Sequence, residues 1–416
     1  EIETARRDEG LFLAASPRRT APRAAPDPAA WERELGHLTL GLTDACNLAC
    51  GYCPQRLAPA PARTMSPATA RAAVAFFLAR CEDAPLPAIS LYGGEPLLQR
   101  DLVAAVVNQV GDRPVRLVVD TNATLVDDAA AAWLAGLGVH LQISCDGPAA
   151  VHDRYRRTPD GRPTHAAVLA GVRRLLRADP SVADRLTFIA TLGPPFPILE
   201  VAAWFTAFPP FRDLGLARAP HVRVNIAAPG GPRPGPEGDE RRRQLASAWH
   251  EAEQAYIAAH RAGRRDQLSP ALTALFDDDL VRWRRRRGGP LPSPGRPGGL
   301  CRPGVRRLYV DPEGIFRPCE RVGAGQVIGD ATRGFDHAAI GRLDARLQDH
   351  LDGACDACWA QRLCRLCLTA LDEDPAATRS ACSAMRATAA AGLRRWLALQ
   401  DPPAADLSWL DNIDLL

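Results

Sequence analysis

Between residues 37 and 228 the sequence repeats one pattern: a short apolar run, a polar loop, then a stretch with helical spacing. The runs are Leu38–Thr43, Ala88–Tyr92, Val115–Val119, Val139–Ile143, Leu186–Leu192 and His221–Ile226. Helices are expected between them, near 66–80, 98–110, 126–136, 164–178 and 199–207. Short apolar strands alternating with amphipathic helices indicate parallel βαβ units. Six such units do not close an eight-stranded barrel. The expectation is therefore an α/β fold with a partial (β/α)6 TIM-like barrel. Ligands of parallel α/β folds sit at the carboxyl ends of the strands. Four of those ends read Asp44-Ala45-Cys46, Gly93-Gly94-Glu95-Pro96, Asp120-Thr121-Asn122 and Ser144-Cys145-Asp146-Gly147. Polar or ligating residues thus follow four strands in register, which a merely structural barrel does not require.

Twelve cysteines are distributed unevenly, and no secretory signal opens the chain. Metal or cluster ligation is then a stronger reading than a disulfide framework. Cys46, Cys50 and Cys53 form C-x3-C-x2-C directly after the first strand. Three thiolates in one short loop can converge on one site, and in a four-iron cluster they leave one iron open to a substrate or cofactor. Zinc with a distant fourth ligand is the rival, because tetrahedral zinc also takes Cys. Seven more, Cys301, Cys319, Cys355, Cys358, Cys364, Cys367 and Cys382, fall near the other end, with a β-hairpin expected over 307–316. These could also make one zinc site with leftovers. Cys81 and Cys145 stand alone and read as small buried residues.

C-x3-C-x-aromatic-C after the first strand of a partial barrel, followed by GGEP, resembles the radical S-adenosylmethionine (SAM) enzymes. The resemblance covers roughly residues 37–228. It implies that Cys46, Cys50 and Cys53 hold a [4Fe–4S] cluster whose fourth iron SAM chelates, with Tyr52 near the adenine. Gly93, Gly94 and Glu95 match the motif that receives the methionine amino group. Ser144 and Asp146 match a strand end that contacts the ribose and carboxylate. Asn122 matches a Thr-Asn-Gly segment lining the same cavity, although Ala123 stands where the family has Gly. Arg156 would neutralise the SAM carboxylate. The later cysteines resemble the SPASM extension, a small cysteine-rich domain with a β-hairpin and helices. Its usual C-x2-C-x5-C-x3-C string ends here in x2. By the family's interleaved pattern, Cys355, Cys358, Cys364 and Cys382 would fill one auxiliary [4Fe–4S] cluster. Cys301, Cys319 and Cys367 would hold a second, completed by a non-Cys ligand or left with an open iron.

The SPASM resemblance implies a maturase that modifies a ribosomally made precursor peptide. A 5′-deoxyadenosyl radical would abstract a hydrogen, and a crosslink would follow, carbon–carbon and cyclophane-like in preference to thioether. The alternatives are a sulfatase-type maturase that generates formylglycine and, from another class, a zinc-bearing interaction protein. The same resemblance implies an external low-potential electron donor. Only about 36 residues precede the first strand, too few for a winged-helix leader-binding module. A separate leader-recognition protein, sequence upstream of Glu1, or the basic helical section would then capture the leader.

The rest of the chain of 416 residues divides by composition. Residues 1–36 read as an arm, 37–228 as the barrel and 229–299 as linker and basic helical section. Residues 300–400 read as the SPASM domain and 401–416 as a tail. All 51 basic residues are Arg, yet the net charge is only +3, which gives no case for nucleic acid. The run Trp283–Arg287 reads as a solvated helix end. No apolar run approaches the roughly 20 residues that span a bilayer, so no membrane partner and a cytoplasmic location are expected. In the tail, Trp409-Leu410-Asp411-Asn412 resembles the spacing of cyclophane substrates, while its other reading is an amphipathic end docked on the domain.

Overall fold

The six expected strands all form, and all pair in parallel: His37–Thr43 (β1), Ala88–Gly93 (β2), Arg116–Thr121 (β3), His140–Ser144 (β4), Leu186–Leu192 (β5) and His221–Ile226 (β6). In this computed structural model the described residues are 35–53, 61–227, 236–284, 301–322, 325–351, 355, 358–370, 375–401 and 405–411. The arm before Leu35, most of the Pro/Gly stretches of the linker and Arg285–Arg287 lie outside them. The helices between the strands are Pro67–Leu78 (α1), Arg100–Val110 (α2), Asp128–Gly136 (α3), Ala149–Tyr155 (α4), His165–Ala178 (α5), Ile198–Thr206 (α6) and Pro209–Asp213 (α7). Their starts are written in the sequence. Ser66 caps α1 by accepting from the Thr69 amide, with Pro67 in the first turn, and Asp127 caps α3 through the Ala130 amide.

The sheet does not stop at β1. Arg307–Val310 (β7) pairs in parallel with the free side of β1, and Ile315–Arg317 (β8), Gly329–Asp330 (β9) and Gly334–Phe335 (β10) follow in antiparallel order. The result is one ten-stranded sheet whose two edges are β10 and β6, an open, partial TIM-like barrel. Within that sheet, register decides which side chains face the lumen. Phe188 of β5 packs on Phe205, Phe208 and Phe211 of the α6–α7 region, so it points outward. Val222, Ile143 and Thr121 share its face through the pairings Phe188↔Val222, Ile143↔Phe188 and Thr121↔Ile143. Alternation then puts Arg223 of β6, Gln142 of β4 and Asp120 of β3 on the inner face. The same rule puts Tyr92 of β2, and His37 and Gly41 of β1, inward. Gly41 is needed there, since a Cβ would lie 2.5 Å from the Tyr309 hydroxyl of β7.

Pro236–Arg261 (α8) and Pro270–Arg284 (α9) are the basic helical section, and His337–Leu351 (α10) and Pro375–Gln400 (α11) belong to the cysteine-rich end. A buried Arg395 on α11 ties three helices together, reaching Glu253 of α8 at 2.7 Å and Asp279 of α9 at 3.3 Å. The tail docks on this assembly. Leu410 is buried, Trp409 stacks on His260, and the Arg265 guanidinium lies 3.6 Å over the Trp409 ring. Trp409 is thus packed as an amphipathic chain end, the docking alternative of the two. Among the described residues no helix is long and apolar enough to cross a membrane.

Candidate active site

The loop after β1 carries Cys46, Cys50 and Cys53, and its shape is fixed from several sides. The amides of Ala49 and Gly51 donate to the carbonyls of Arg157 and Tyr155 at 2.7 and 2.8 Å. Asp44, at its start, is held by Arg63 at 2.7 Å. Asn47 donates to Thr124 and accepts from Asn122, both at 2.8 Å, so the turn after β3 is tied to the middle of the loop.

Gly93 and Gly94 let the end of β2 press against the same loop. A Cβ on Gly94 would stand 2.1 Å from the Ala45 carbonyl oxygen, and one on Gly93 would stand 2.4 Å from that of Thr43. Both obstacles are backbone, so only glycine fits. The contact delivers Glu95, whose amide donates to Ala45 at 2.9 Å. Its carboxylate is 1% exposed and accepts from the Leu97 amide at 3.0 Å, the Thr121 hydroxyl at 2.7 Å and the Asn122 amide at 2.8 Å. Burial raises its pKa, and those three donors oppose the rise. Glu95 therefore brackets the ends of β2 and β3 beneath the cysteine loop.

Asp146, after β4, plays the corresponding part on the other side. It is 1% exposed and accepts from Tyr52, from the Arg156 Nε at 2.9 Å and from the Thr191 amide at 2.8 Å. Burial works against the Arg156 charge, but Asp146, then Tyr52 and Cys50, outweigh it and raise its pKa. Burial pushes the Tyr52 hydroxyl well above its ordinary range. Tyr52 is thus pinned by its hydroxyl with one edge on Tyr155, ring centroids 5.5 Å apart. Ser144, half-buried, ends β4 on the inner face.

The donor set suits a thiophilic centre. The Cys46 thiol is pushed up to about 11, first by burial, and burial raises Cys50 as well. A bound cationic centre offsets that penalty and takes the thiolates. The Leu48 amide points at the Cys46 sulfur at 3.4 Å, the kind of contact that tunes thiolate-bound iron. Among the described residues no three His, Cys, Asp or Glu side chains close as tightly as a single ion requires. Thiolates on separate irons of one cluster stand farther apart than the ligands of one zinc.

The seven later cysteines fall into two gatherings. Cys355, Cys364 and Cys382 pack around Leu366 and Met385, and the charges of Cys358 and Cys382 reach Cys364. Separately, the charge of Cys367 reaches both Cys301 and Cys319, and Glu320 faces the same pair. Cys81 and Cys145 are buried in the apolar core, and burial pushes Cys145 up to about 12.

The radical SAM superfamily pattern matches residues 40–198, the stretch that runs from β1 through the start of α6. Residues 40–198 are a radical SAM domain. Its cofactors are a [4Fe–4S] cluster and SAM. An uncharacterized protein of Methanocaldococcus jannaschii is 30% identical over 142 residues, 33% of this chain and 48% of its own length. The GTP 3′,8-cyclase of Erythrobacter litoralis is 35% identical over 147 residues, 34% of this chain and 42% of its own. The chain thus spans less than half the length of these curated relatives. Among solved structures, native anSMEcpe with bound AdoMet is similar at a TM-score of 0.63 and 14% identity, over 91% of this chain and 100% of that one. Streptococcus suis SuiB bound to its precursor peptide SuiA is similar at 0.52 and 14%, over 82% and 74%. At these identities the likeness is one of fold, and it extends beyond the radical SAM domain.

Sequence reasoning did not single out Thr121, Thr191 or Asn47, which hold the site residues. Nor did it single out Asp120, Tyr92, Arg223 and Glu320, which line the lumen. Burial first, then Glu320, pushes Asp120 up to about 7, with Arg223 opposing. Burial, then Glu320 and Asp120, raises Tyr92. The lumen therefore runs from the Cys46–Cys53 loop past these side chains toward Cys301 and Cys319.

Proposed function

We propose that this protein is a radical SAM maturase that modifies a peptide and uses two further iron–sulfur clusters. The carrying observation is the pair of separate cysteine gatherings, one of them facing the same lumen as the SAM loop through Glu320. When a [4Fe–4S] cluster and SAM are bound at that loop, they supply one-electron cleavage of the sulfonium and removal of a substrate hydrogen atom. Cys46, Cys50 and Cys53 are the ligands on this reading. The Gly93-Gly94 turn brings main-chain acceptors to the methionine ammonium, with Glu95 holding that turn in place. Arg156 and Asp146 fix Tyr52 beside the loop, and Asn122 and Ser144 complete the wall around SAM. These buried, interlocked side chains exclude water from a reaction that stray hydrogen donors would quench.

Cys355, Cys358, Cys364 and Cys382 are the ligands of one auxiliary cluster, and Cys301, Cys319 and Cys367 of the other. An auxiliary cluster takes the electron left when a substrate radical closes a new bond. Similarity to structures whose titles name peptides, SuiA and Cp18Cys, supports a peptide substrate. Crosslinking, with carbon–carbon bonds preferred, is one product class. Formylglycine formation stands equally beside it, because the anSMEcpe likeness covers 91% of this chain.

The test is anaerobic turnover of the reconstituted protein with SAM, a low-potential reductant and a peptide encoded beside its gene. The expected result is 5′-deoxyadenosine together with peptide that has lost two hydrogens per event. Tandem mass spectrometry then finds a linked pair for crosslinking, or a hydrazide-reactive aldehyde for formylglycine. SAM cleavage that leaves every peptide mass unchanged overturns the peptide reading.

A further inference from the structure

Two arginines on the inner face of the barrel lack a counterion. Arg307 opens β7 directly opposite His37 of β1, and Arg223 lies on edge strand β6 opposite Ile189. Both face inward and yet are exposed, which an inward side chain achieves only because the sheet ends at β6 without closing. Among the described residues neither makes an ion pair. Other enclosed arginines do: Arg156 with Asp146, Arg317 with Asp311, and Arg395 with Glu253 and Asp279.

Their positive fields meet. His37, hydrogen-bonded to Ser90 at 2.9 Å, is lowered to about 4 first by burial and then by Arg307 and Arg223. His37 is therefore neutral and answers neither charge. Asp120 lies within the field of Arg223 but makes no ion pair with it. Glu320 lies toward Cys319 and Cys301. Two permanent cations thus flank the open seam of the lumen without an anion in contact.

We infer that the lumen takes a peptide segment bearing a carboxylate, which seats between Arg223 and Arg307. This rests on the peptide reading above and adds the chemical class of the substrate. A guanidinium offers a planar fork of donors that matches a carboxylate, and such charge-assisted bonds are about twice as strong as neutral ones. An amide of the same shape keeps an acceptor and loses the charge, which corresponds to roughly tenfold weaker binding. The carboxylate has two sources, an Asp or Glu side chain or a free C-terminus.

The probe is a mass-encoded library of extended nonapeptides, each with Glu or Gln at one position and a free or amidated C-terminus. It is selected on the anaerobic, reconstituted, SAM-loaded protein. The expected result is about tenfold enrichment of Glu over Gln among amidated peptides for a side-chain carboxylate. The same enrichment of free over amidated termini assigns the C-terminus instead. Enrichment should vanish with Arg223→Gln and with Arg307→Gln, and largely persist with Arg223→Lys, which keeps the charge. Iron content and melting temperature equal to the parent's confirm that these variants are folded. Equal retention of charged and amidated members, or enrichment unchanged in both Gln variants, overturns the inference and leaves the peptide reading standing. Retention of GTP with no retained peptide overturns both.

Discussion

Ala123 holds a left-handed backbone, φ 56°, at the turn after β3 where the family's pattern has glycine. That conformation costs an L-residue roughly 1–2 kcal/mol. The turn cannot relax outward, because Gly171 of α5 packs against it so closely that a Cβ there would lie 2.3 Å from the Ala123 oxygen. Ala123→Gly should therefore stabilise the protein by about 1 kcal/mol, after the extra entropy of glycine in the unfolded chain is offset; urea denaturation measures it, and a loss of stability contradicts the strain. Asp120 gives a pH signature. Its folded pKa of about 7 lies above the model value of 3.8, so its favourable contribution is complete below about 4 and is lost as pH rises through 7. Asp120→Asn should then gain stability over the parent as pH rises from 5 to 8. Lumen water reaches the side chain, so the gain is about 2 kcal/mol rather than the full linkage value. Melting curves at the two pH values show it; a difference independent of pH counts against an enclosed Asp120. At this scale the sequence was informative where spacing speaks, as at Cys46, Cys50, Cys53 and the Gly93-Gly94 pair. It was silent on Asp120 and Arg223, because facing inward depends on register, and one residue of slip reverses it.

Among the elements, the barrel strands and helices were legible to within about two residues, since each carries its own period and caps. β3 and β4 run on to Thr121 and Ser144, past the apolar runs that announced them, because Thr121 pairs with Ile143 and Ser144 with Ile189. The hairpin was also legible, but its docking on β1 was not. Nothing local in Arg307–Val310 says that its partner is His37–Leu40, some 270 residues earlier in the sequence. The C-terminal helices were legible as helices and not as an assembly. Their junction is Arg395, 1% exposed, which sits 4.5 Å over the Phe276 ring while bonding Glu253 and Asp279. Removing one member of such a buried set leaves its partners' charges uncompensated. Arg395→Ala should accordingly destabilise by about 3–5 kcal/mol. A urea midpoint that moves by the equivalent of less than 1 kcal/mol would show that the pairs are solvent-screened and that packing alone joins α8, α9 and α11.

For the whole molecule, the decisive arrangement is three cysteine gatherings on two differently built supports. Cys46, Cys50 and Cys53 hang on a barrel whose strands and helices share one continuous apolar core. Cys355, Cys364 and Cys382 pack with only Leu366, Ala381 and Met385 about them. A section with so little apolar burial draws its stability from the metal it binds, whereas the barrel does not. Replacing Cys46, Cys50 and Cys53 together by Ala should remove about four irons and abolish SAM cleavage, while the fold and the other irons persist. Replacing Cys355, Cys358, Cys364 and Cys382 should also remove about four irons, but with early proteolytic cleavage after residue 300 and the barrel intact. The set Cys301, Cys319 and Cys367 should behave as a third, independent unit. Iron and sulfide analysis, with limited proteolysis of each variant, reads all three. Stoichiometric zinc, or irons lost from all three places at once, would break the scheme. So would C-terminal protease resistance unchanged by loss of its four cysteines, since metal would then contribute nothing to that section's fold.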